Sequence, residues 1–117
     1  MALFGNNKEK GAAGTANLKV DITQNGTELI VKLIGRLDTL TSPDLEDKLE
    51  EALEGVEKLV FDLEDLDYIS SAGLRVLLGA SQEMDEVDGG EMMIRNITQP
   101  VREVFEVTGF NTAFNIE

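Results

Sequence analysis

The chain has 117 residues, enough for one domain with one hydrophobic core, and a net charge of −13, which opposes binding to nucleic-acid phosphates and anionic membranes. It contains no cysteine and no histidine, which excludes disulfides, Ser-His-Asp and Cys-His catalytic sites and the usual zinc sites. No segment approaches the roughly 18 consecutive apolar residues of a membrane-spanning helix. We therefore expect a cytoplasmic binding protein that is not an enzyme and uses no metal or cofactor.

The N-terminal part of the chain predicts a tail followed by a β-hairpin. Residues 1–16 lack hydrophobic periodicity, so we expect a disordered tail ahead of one domain over residues 17–117. Alternating apolar and polar residues over positions 18–22 predict a half-buried strand. The pair Asn25-Gly26 favours a tight turn with positive φ at both residues, and residues 29–34 predict a second, mostly apolar strand.

A helix and a third strand are predicted next. Ser42 is placed to cap a helix whose apolar residues recur at helical spacing, and Gly55 is expected to end it. Residues 59–63 predict a buried strand, and the acidic residues from Glu64 to Asp67 predict a loop. In α/β sheets, ligands and partners tend to meet the loops beyond the carboxyl ends of strands, so this loop and the helix start after it are the first place to seek a functional site.

The remaining segments continue the alternation of strands and helices. A second helix is predicted from about Leu74 to Glu86, a fourth strand over residues 91–97, and a short third helix from Pro100. Residues 113–116 could add an edge strand. This order predicts a single α/β domain with a mixed β-sheet of four to five strands and helices packed on it.

Two serines at the start of the second helix are the candidate functional residues. A helix N-terminus offers unpaired N–H groups and a positive dipole end, which suit an anion such as the phosphate of a phosphoserine. A helical projection places Ser71 beside Arg75 on the exposed side, turns Ser70 toward the core, and includes Leu78 and Ser81 in the inward arc. Without further information, the two serines are better explained as ordinary helix caps.

The sequence around these serines resembles the signature of STAS domains, particularly that of bacterial anti-sigma-factor antagonists. The similar run extends from Leu63 to Leu77 and includes Tyr68-Ile69-Ser70-Ser71-Ala72-Gly73. Gly35-Arg36-Leu37-Asp38 resembles the family's motif after the second strand, and Gly89-Gly90-Glu91 resembles the turn into its fourth strand. The three motifs occur in order, and the resemblance covers about residues 17–116.

The resemblance implies a partner-switching cycle. The unphosphorylated protein would bind an anti-sigma factor that is also a serine-protein kinase, and would thereby release the sigma factor. The kinase would phosphorylate Ser71, and a PP2C-type phosphatase would reset the cycle. Many family members carry Asp immediately before the phosphoserine, whereas this chain has Ser70 there, so Ser70 is the second candidate acceptor.

The expected partner surface joins two regions of the chain. Asp38 matches an acidic residue that lies beside the partner surface in the family, and the exposed side of the second helix would lie next to it. The surface is expected to comprise Asp38, Ser70 and Ser71 at one end of the sheet, with Arg75, Gly79 and Gln82 alongside on the second helix.

Other interpretations of the sequence stay open or are disfavoured. A free-standing STAS subunit of a membrane transport or lipid-transport complex is the alternative function. A nucleotide-binding domain is disfavoured because the GxxxxGK[ST] loop is absent. The carboxylates from Asp62 to Asp67 lack the spacing of an EF-hand, so we expect a solvated charge run. Arg36, close to Asp38, is expected to form an ordinary surface ion pair.

Overall fold

The computed structural model describes residues 17–117, so the expected tail of residues 1–16 lies outside the described residues. The elements in chain order are β1 (Leu18–Asn25), β2 (Glu28–Leu37), α1 (Ser42–Ala52), β3 (Lys58–Ile69), α2 (Ser71–Asp85), β4 (Glu91–Arg95), α3 (Gln99–Thr108) and a 3₁₀ turn (Phe110–Thr112). The strands form one sheet in the order β1-β2-β3-β4. Since β1 is antiparallel to β2 while β2, β3 and β4 are parallel, the sheet is mixed, and the predicted α/β fold is confirmed.

The helices pack on one face of the sheet. Right-handed crossovers between neighbouring parallel strands place α1 and α2 on the same side. Buried residues of α1, α2 and α3 share a single hydrophobic core with alternate residues of the central strands: Leu29, Val31, Leu33, Leu59, Phe61 and Leu63. The intervening strand residues, Val60 among them, point to the other face and lie outside that core. The Cα atoms extend 36 × 33 × 19 Å, consistent with two layers.

The hairpin turn lies one residue later than predicted. Asn25 is paired with Glu28, so the two turn residues are Gly26 and Thr27. Gly26 has φ of 63°, whereas neither Asn25 nor Thr27 is among the described residues with positive φ. Glycine at the first turn position, with positive φ only there, fits a type II′ turn, which matches the strand twist as well as type I′ does. The prediction of positive φ at both Asn25 and Gly26 was wrong.

The acidic segment predicted as a loop belongs to β3. The strand continues to Ile69 and stays paired with β2 through two register shifts, one between Lys32 and Ile34 and one between Gly35 and Arg36. Leu66 and Ile69 are buried, and the residues between them are exposed. Because of the irregular pairing, every third residue is buried here instead of every second one. The alternation of apolar and polar residues that predicts a strand is therefore absent after Leu63. The prediction of a loop after Leu63 was wrong.

The second helix is longer than predicted and slightly rotated. It begins at Ser71 instead of Leu74, and its buried stripe passes through Ala80. Leu78 and Ser81, predicted to point inward, are only half-buried because the stripe through Ala80 turns them to the edge of the contact. At the end of the chain, the expected edge strand is reduced to one parallel bridge between Ile94 and Ile116.

Gly35 permits the chain before β1 to lie against β2. We therefore expect Gly35→Ala to lower the free energy of unfolding by about 2 kcal/mol or more. Gly35 has φ of 108°, and a Cβ there would collide with the carbonyl oxygen of Asn17, which accepts a 2.8 Å hydrogen bond from the Arg36 amide. The matched control is Gly79→Ala, where a Cβ on α2 meets nothing within 4 Å. That variant should gain about 1 kcal/mol from helix propensity. Urea denaturation measures both, and a Gly35→Ala variant as stable as the wild type would contradict the role assigned to this glycine.

Candidate functional site

A hydrogen-bonded turn centred on Asp38 connects β2 to α1. Asp38 Oδ1 accepts hydrogen bonds from the amides of Leu40 (3.0 Å) and Thr41 (3.1 Å), as in an Asx turn. The Asp38 amide donates to Thr41 Oγ1 (2.9 Å), and the Thr41 hydroxyl donates to the carbonyl oxygen of Arg36 (2.9 Å). These bonds tie the end of the strand to the start of α1 and hold the Asp38 carboxylate in one orientation.

Ser42 does not cap α1, contrary to prediction. It is the first helical residue and is only 4% exposed. Both its amide and its hydroxyl donate hydrogen bonds to the carbonyl oxygen of Asp38. The N-cap position belongs to Thr41, whose side chain makes no cap bond because it is engaged by Asp38 and Arg36. The Asp38 turn, rather than a serine cap, therefore satisfies the amides that precede the helix.

The Asp38 carboxyl has a lowered pKa. Partial burial raises this pKa, but the amides of Thr41 and Leu40, the Thr41 hydroxyl and the Arg36 guanidinium together more than offset that effect. The carboxylate side chain is 20% exposed and its Oδ2 lies 3.6 Å from Arg36 Nε. The turn therefore presents a fixed negative charge at neutral pH.

The two serines at the end of β3 occupy different environments. Ser70 is the N-cap of α2: its hydroxyl oxygen accepts a hydrogen bond from the Gly73 amide (3.4 Å), and the residue is half-buried. Ser71 is the first residue of the helix and is exposed, and its hydroxyl forms no hydrogen bond with another described residue. The helical projection is thus consistent with the structure in turning Ser71 outward and Ser70 inward.

Strand pairing brings Asp38 and the serines together. Leu37 and Ile69 are partners in the parallel register of β2 and β3, and the Ser70 amide donates to the Leu37 carbonyl oxygen (2.9 Å). A Cβ on Gly73 would lie 2.7 Å from Leu37 Cγ, so only glycine permits the first turn of α2 to approach β2 this closely. Asp38 and Ser70 therefore lie just beyond the adjacent carboxyl ends of neighbouring strands.

The other expected surface residues lie along α2. A shallow groove runs between α1 and α2, with Arg75 beside Thr39 and Pro43 at the end nearest the serines. Gly79 lines the opposite end of the groove together with Glu83. Gln82 is exposed on the same helix but lines neither part of the groove. Asp38, Ser71 and Arg75 are thus gathered at one end, while Gly79 and Gln82 extend the surface along α2.

Tyr68 belongs to this surface and was missed by sequence reasoning. The expected ion pair between Arg36 and Asp38 is present, but the Arg36 guanidinium also lies over the Tyr68 ring, with its Cζ 4.4 Å from the centroid. Tyr68 is 39% exposed, and Leu40 in the adjacent turn is 85% exposed. The available signal was the presence of these two large apolar side chains within otherwise polar segments.

Several carboxylates of β3 are engaged within the fold. Asp62 Oδ1 accepts from Asn96 Nδ2 and from the Glu64 amide, both at 3.1 Å. Asp65 Oδ2 lies 3.2 Å from Lys32 Nζ, and this hydrogen bond, with the attraction of the neighbouring carboxylates, raises the pKa of Lys32. Within residues 17–117, no group of three or more metal-ligating side chains is arranged to hold a metal ion. The same part of the chain contains no helix long and apolar enough to span a membrane.

Asp38→Ala should lower the free energy of unfolding at pH 7 by about 1 kcal/mol, because the amides of Leu40 and Thr41 lose their acceptor. The folded pKa of Asp38 lies below its usual value of 3.8, so its stabilising contribution is present above that pH. The contribution is lost as the pH falls through the folded pKa, and the difference between the two proteins should then shrink.

The control is Asp44→Ala, which removes an exposed ion pair with Lys48 on α1 and should cost no more than about 0.5 kcal/mol. Thermal and urea unfolding from pH 7 down to pH 3 measure both variants. A loss at Asp38 no larger than that at Asp44 would contradict the role assigned to the turn.

Comparison with known proteins gives consistent matches. The STAS domain family model matches residues 19–117. The anti-sigma-B factor antagonist of Bacillus subtilis (strain 168) is 30% identical over 100 residues, which are 86% of this chain and 91% of that protein. The structure of the anti-sigma factor antagonist SpoIIAA in its unphosphorylated form has a TM-score of 0.73 at 22% identity, covering 85% of this chain and 88% of that one. The phosphorylated form of the Bacillus cell fate determinant SpoIIAA has a TM-score of 0.66 at 20% identity, covering 85% and 91%.

Proposed function

The chain belongs to the STAS domain family, and on that premise we propose that it is an anti-sigma-factor antagonist controlled by phosphorylation of Ser71. In its unphosphorylated form it binds an anti-sigma factor that is also a serine-protein kinase, and so releases the sigma factor. Phosphorylation by that kinase ends the interaction, and a PP2C-type phosphatase restores it. The observation that carries this proposal is an exposed serine at the first position of α2, next to the Asp38 turn.

The difference between the two serines supports Ser71 as the acceptor. A kinase needs an accessible hydroxyl, which Ser71 offers, whereas the Ser70 hydroxyl oxygen already accepts from the Gly73 amide inside the fold. A phosphate on Ser71 would lie at the positive end of a 15-residue helix whose first turn contains no acidic residue. The helix can therefore accept the added charge, and phosphorylation should alter the surface without unfolding the domain.

The surroundings of Ser71 explain how one phosphate could end binding. Leu40 in the Asp38 turn and Tyr68, which Arg36 connects to that turn, expose apolar area that suits a closely packed contact excluding water. A phosphoserine adds about −1.5 to −2 charges at pH 7, and burying that charge against an apolar or acidic surface is unfavourable. A loss of about 3 kcal/mol weakens binding more than a hundredfold, enough to reverse a competition between two partners.

The proposed function requires no catalysis by this chain. Histidine and cysteine are absent from the sequence, so a nucleophile at this site would have neither an imidazole base nor a thiolate alternative. We propose that the protein acts by binding alone. Affinity capture with the Ser71→Ala variant should recover a serine-protein kinase, whereas recovery of transporter or lipid-transport subunits would favour the alternative function.

Replacing Ser71 should uncouple binding from the kinase. Ser71→Ala should bind the anti-sigma factor of the same organism and keep binding it after incubation with ATP, because no acceptor hydroxyl remains there. Ser71→Asp should bind at least tenfold more weakly, since it places a permanent charge in the contact. Isothermal titration calorimetry measures both affinities.

Ser70→Ala is the matched control at the neighbouring position. It should still be phosphorylated, and it should lose up to about 1 kcal/mol of stability with its cap bond. Mass spectrometry of the kinase-treated proteins identifies the acceptor. Phosphate on Ser70, with Ser71→Ala still modified, would overturn the assignment.

Gly79→Trp should weaken partner binding at least tenfold while leaving the domain folded. A side chain at this position enters open space, since a Cβ on Gly79 meets no atom within 4 Å, and it would obstruct the groove between α1 and α2. Val107→Trp is the control because Val107 is exposed on α3, outside the proposed surface. If titration shows that both variants bind like the wild type, the interface lies elsewhere on the molecule.

A further inference from the structure

The sheet face opposite the helices carries a regular pattern of charge. Three rows of side chains cross β2, β3 and β4, and the strand register sets the members of each row. The first row, nearest the amino ends of the strands, is Glu28, Lys58 and Glu91. The middle row is apolar and consists of Ile30, Val60 and Met93. The third row is Lys32, Asp62 and Arg95.

No element in residues 17–117 covers these rows. Val60 is only 1% exposed, yet it lies outside the core beneath the helices, as do Ile30 and Met93. Val60 is fully buried between half-buried Ile30 and Met93, and the middle row forms an apolar strip between two charged borders. The borders hold three cations and three carboxylates, so these three rows balance although the chain carries −13, and Asp21 of β1 lies beside Lys32 on the same face. The balanced rows therefore add little to the repulsion between two such acidic molecules.

The pattern is complementary to itself. When a second copy is placed face to face by a two-fold axis along the middle row, the two middle rows meet and each first row lies over the other copy's third row. Glu28 then opposes Lys32, Lys58 opposes Asp62, and Glu91 opposes Arg95, each pair occurring twice. A two-fold axis along β3 would instead oppose Glu28 to Glu91 and Lys58 to itself. Of these two axes, only the first pairs every charge of the three rows with its opposite.

The dimensions of packed sheets permit this arrangement. Packed sheets are rotated by about 30°, and with strands about 4.8 Å apart that rotation shifts the opposed residues by about 4 Å. Lysine, arginine and glutamate side chains can span such a shift. The four-strand face offers roughly 500 Å² per copy, which is near the lower limit for a specific interface and corresponds to a weak, reversible dimer.

We propose that this face is the interface of a two-fold symmetric homodimer of the chain. Two ion pairs within one copy lie at the border of this interface: Lys58 with Glu28 (3.9 Å) and Lys32 with Asp65 (3.2 Å). In the dimer, their charged groups would also contact the facing copy. Glu91 and Arg95 form no ion pair with another described residue, so they depend most on the second copy. The helix layers point outward in the dimer, and both copies keep Ser71 accessible. Dimerisation is therefore independent of the proposed switch.

Charge reversal on β4 tests the dimer. Sedimentation equilibrium of the full chain, from about 10 µM to 1 mM, should show a concentration-dependent dimer. Arg95→Glu places two pairs of like charges in the interface, and Glu91→Arg does the same with opposite sign. Each variant alone should dimerise at least tenfold more weakly. A mixture of the two should recover the association, because each variant supplies the charge that the other one needs.

The Glu91→Arg variant separates this proposal from a general effect of net charge. It makes the chain less acidic, so reduced overall repulsion would strengthen any unrelated self-association, whereas the proposed interface predicts weakening. Arg102→Glu on α3 is the control: it makes the same charge change as Arg95→Glu on the helix layer and should dimerise like the wild type. Circular dichroism and thermal unfolding confirm that each variant is folded.

Three outcomes would overturn the proposal. The wild type could stay monomeric up to 1 mM, as it would if residues 1–16 of the same chain occupied this face. The dimer could be unaffected by both reversals on β4, which would place its interface elsewhere. The mixture could fail to associate although both variants are folded, which would exclude the two-fold axis along the middle row.

Discussion

The structure depends above all on the parallel pairing of β2 and β3. The two strands remain paired through both register shifts until Leu37 meets Ile69. Both strands therefore end side by side at the same edge of the sheet. Asp38 and Ser70, which are 32 positions apart in the sequence, become neighbours for this reason alone. Glycine at position 73 then lets α2 approach the end of β2 closely. If the two strands separated at Leu63, the Asp38 turn and the start of α2 would not lie on the same surface.

The adjacent serines separate the capping role of Ser70 from the phosphorylation role proposed for Ser71. Ser70 contributes its hydroxyl to the N-terminus of α2, and a negative charge there would replace a bond on which the helix start relies. Ser71 contributes no such bond to the described fold, so its chemistry can change while the helix persists. The proposed switch needs a rigid platform and a dispensable hydroxyl, and the hydrogen-bonded Asp38 turn would be the rigid neighbour.

The charge of the protein is distributed unevenly between its two layers. The rows of the open sheet face balance to zero, so the excess negative charge of the described residues lies on the remaining surface, including the helices and their turns. An acidic helix layer attracts partners with a basic face, whereas the balanced rows of the sheet face would allow the proposed contact between like molecules. The two-layer fold would thus place the two proposed kinds of recognition on opposite sides.

The order and type of most elements, the α/β class and the outward direction of Ser71 were determined by the sequence, because they depend on periodicity and motifs among residues close in the chain. The sequence did not determine where β3 ends, because its bulged pairing with β2 makes every third residue buried instead of every second one. Only the fold shows that Asp38, rather than Ser42, accepts hydrogen bonds from the amides before α1. It also decides that Arg36 stacks on Tyr68. Which residues align in rows across the sheet was decided by tertiary structure alone, because strand register is set by packing between segments far apart in sequence.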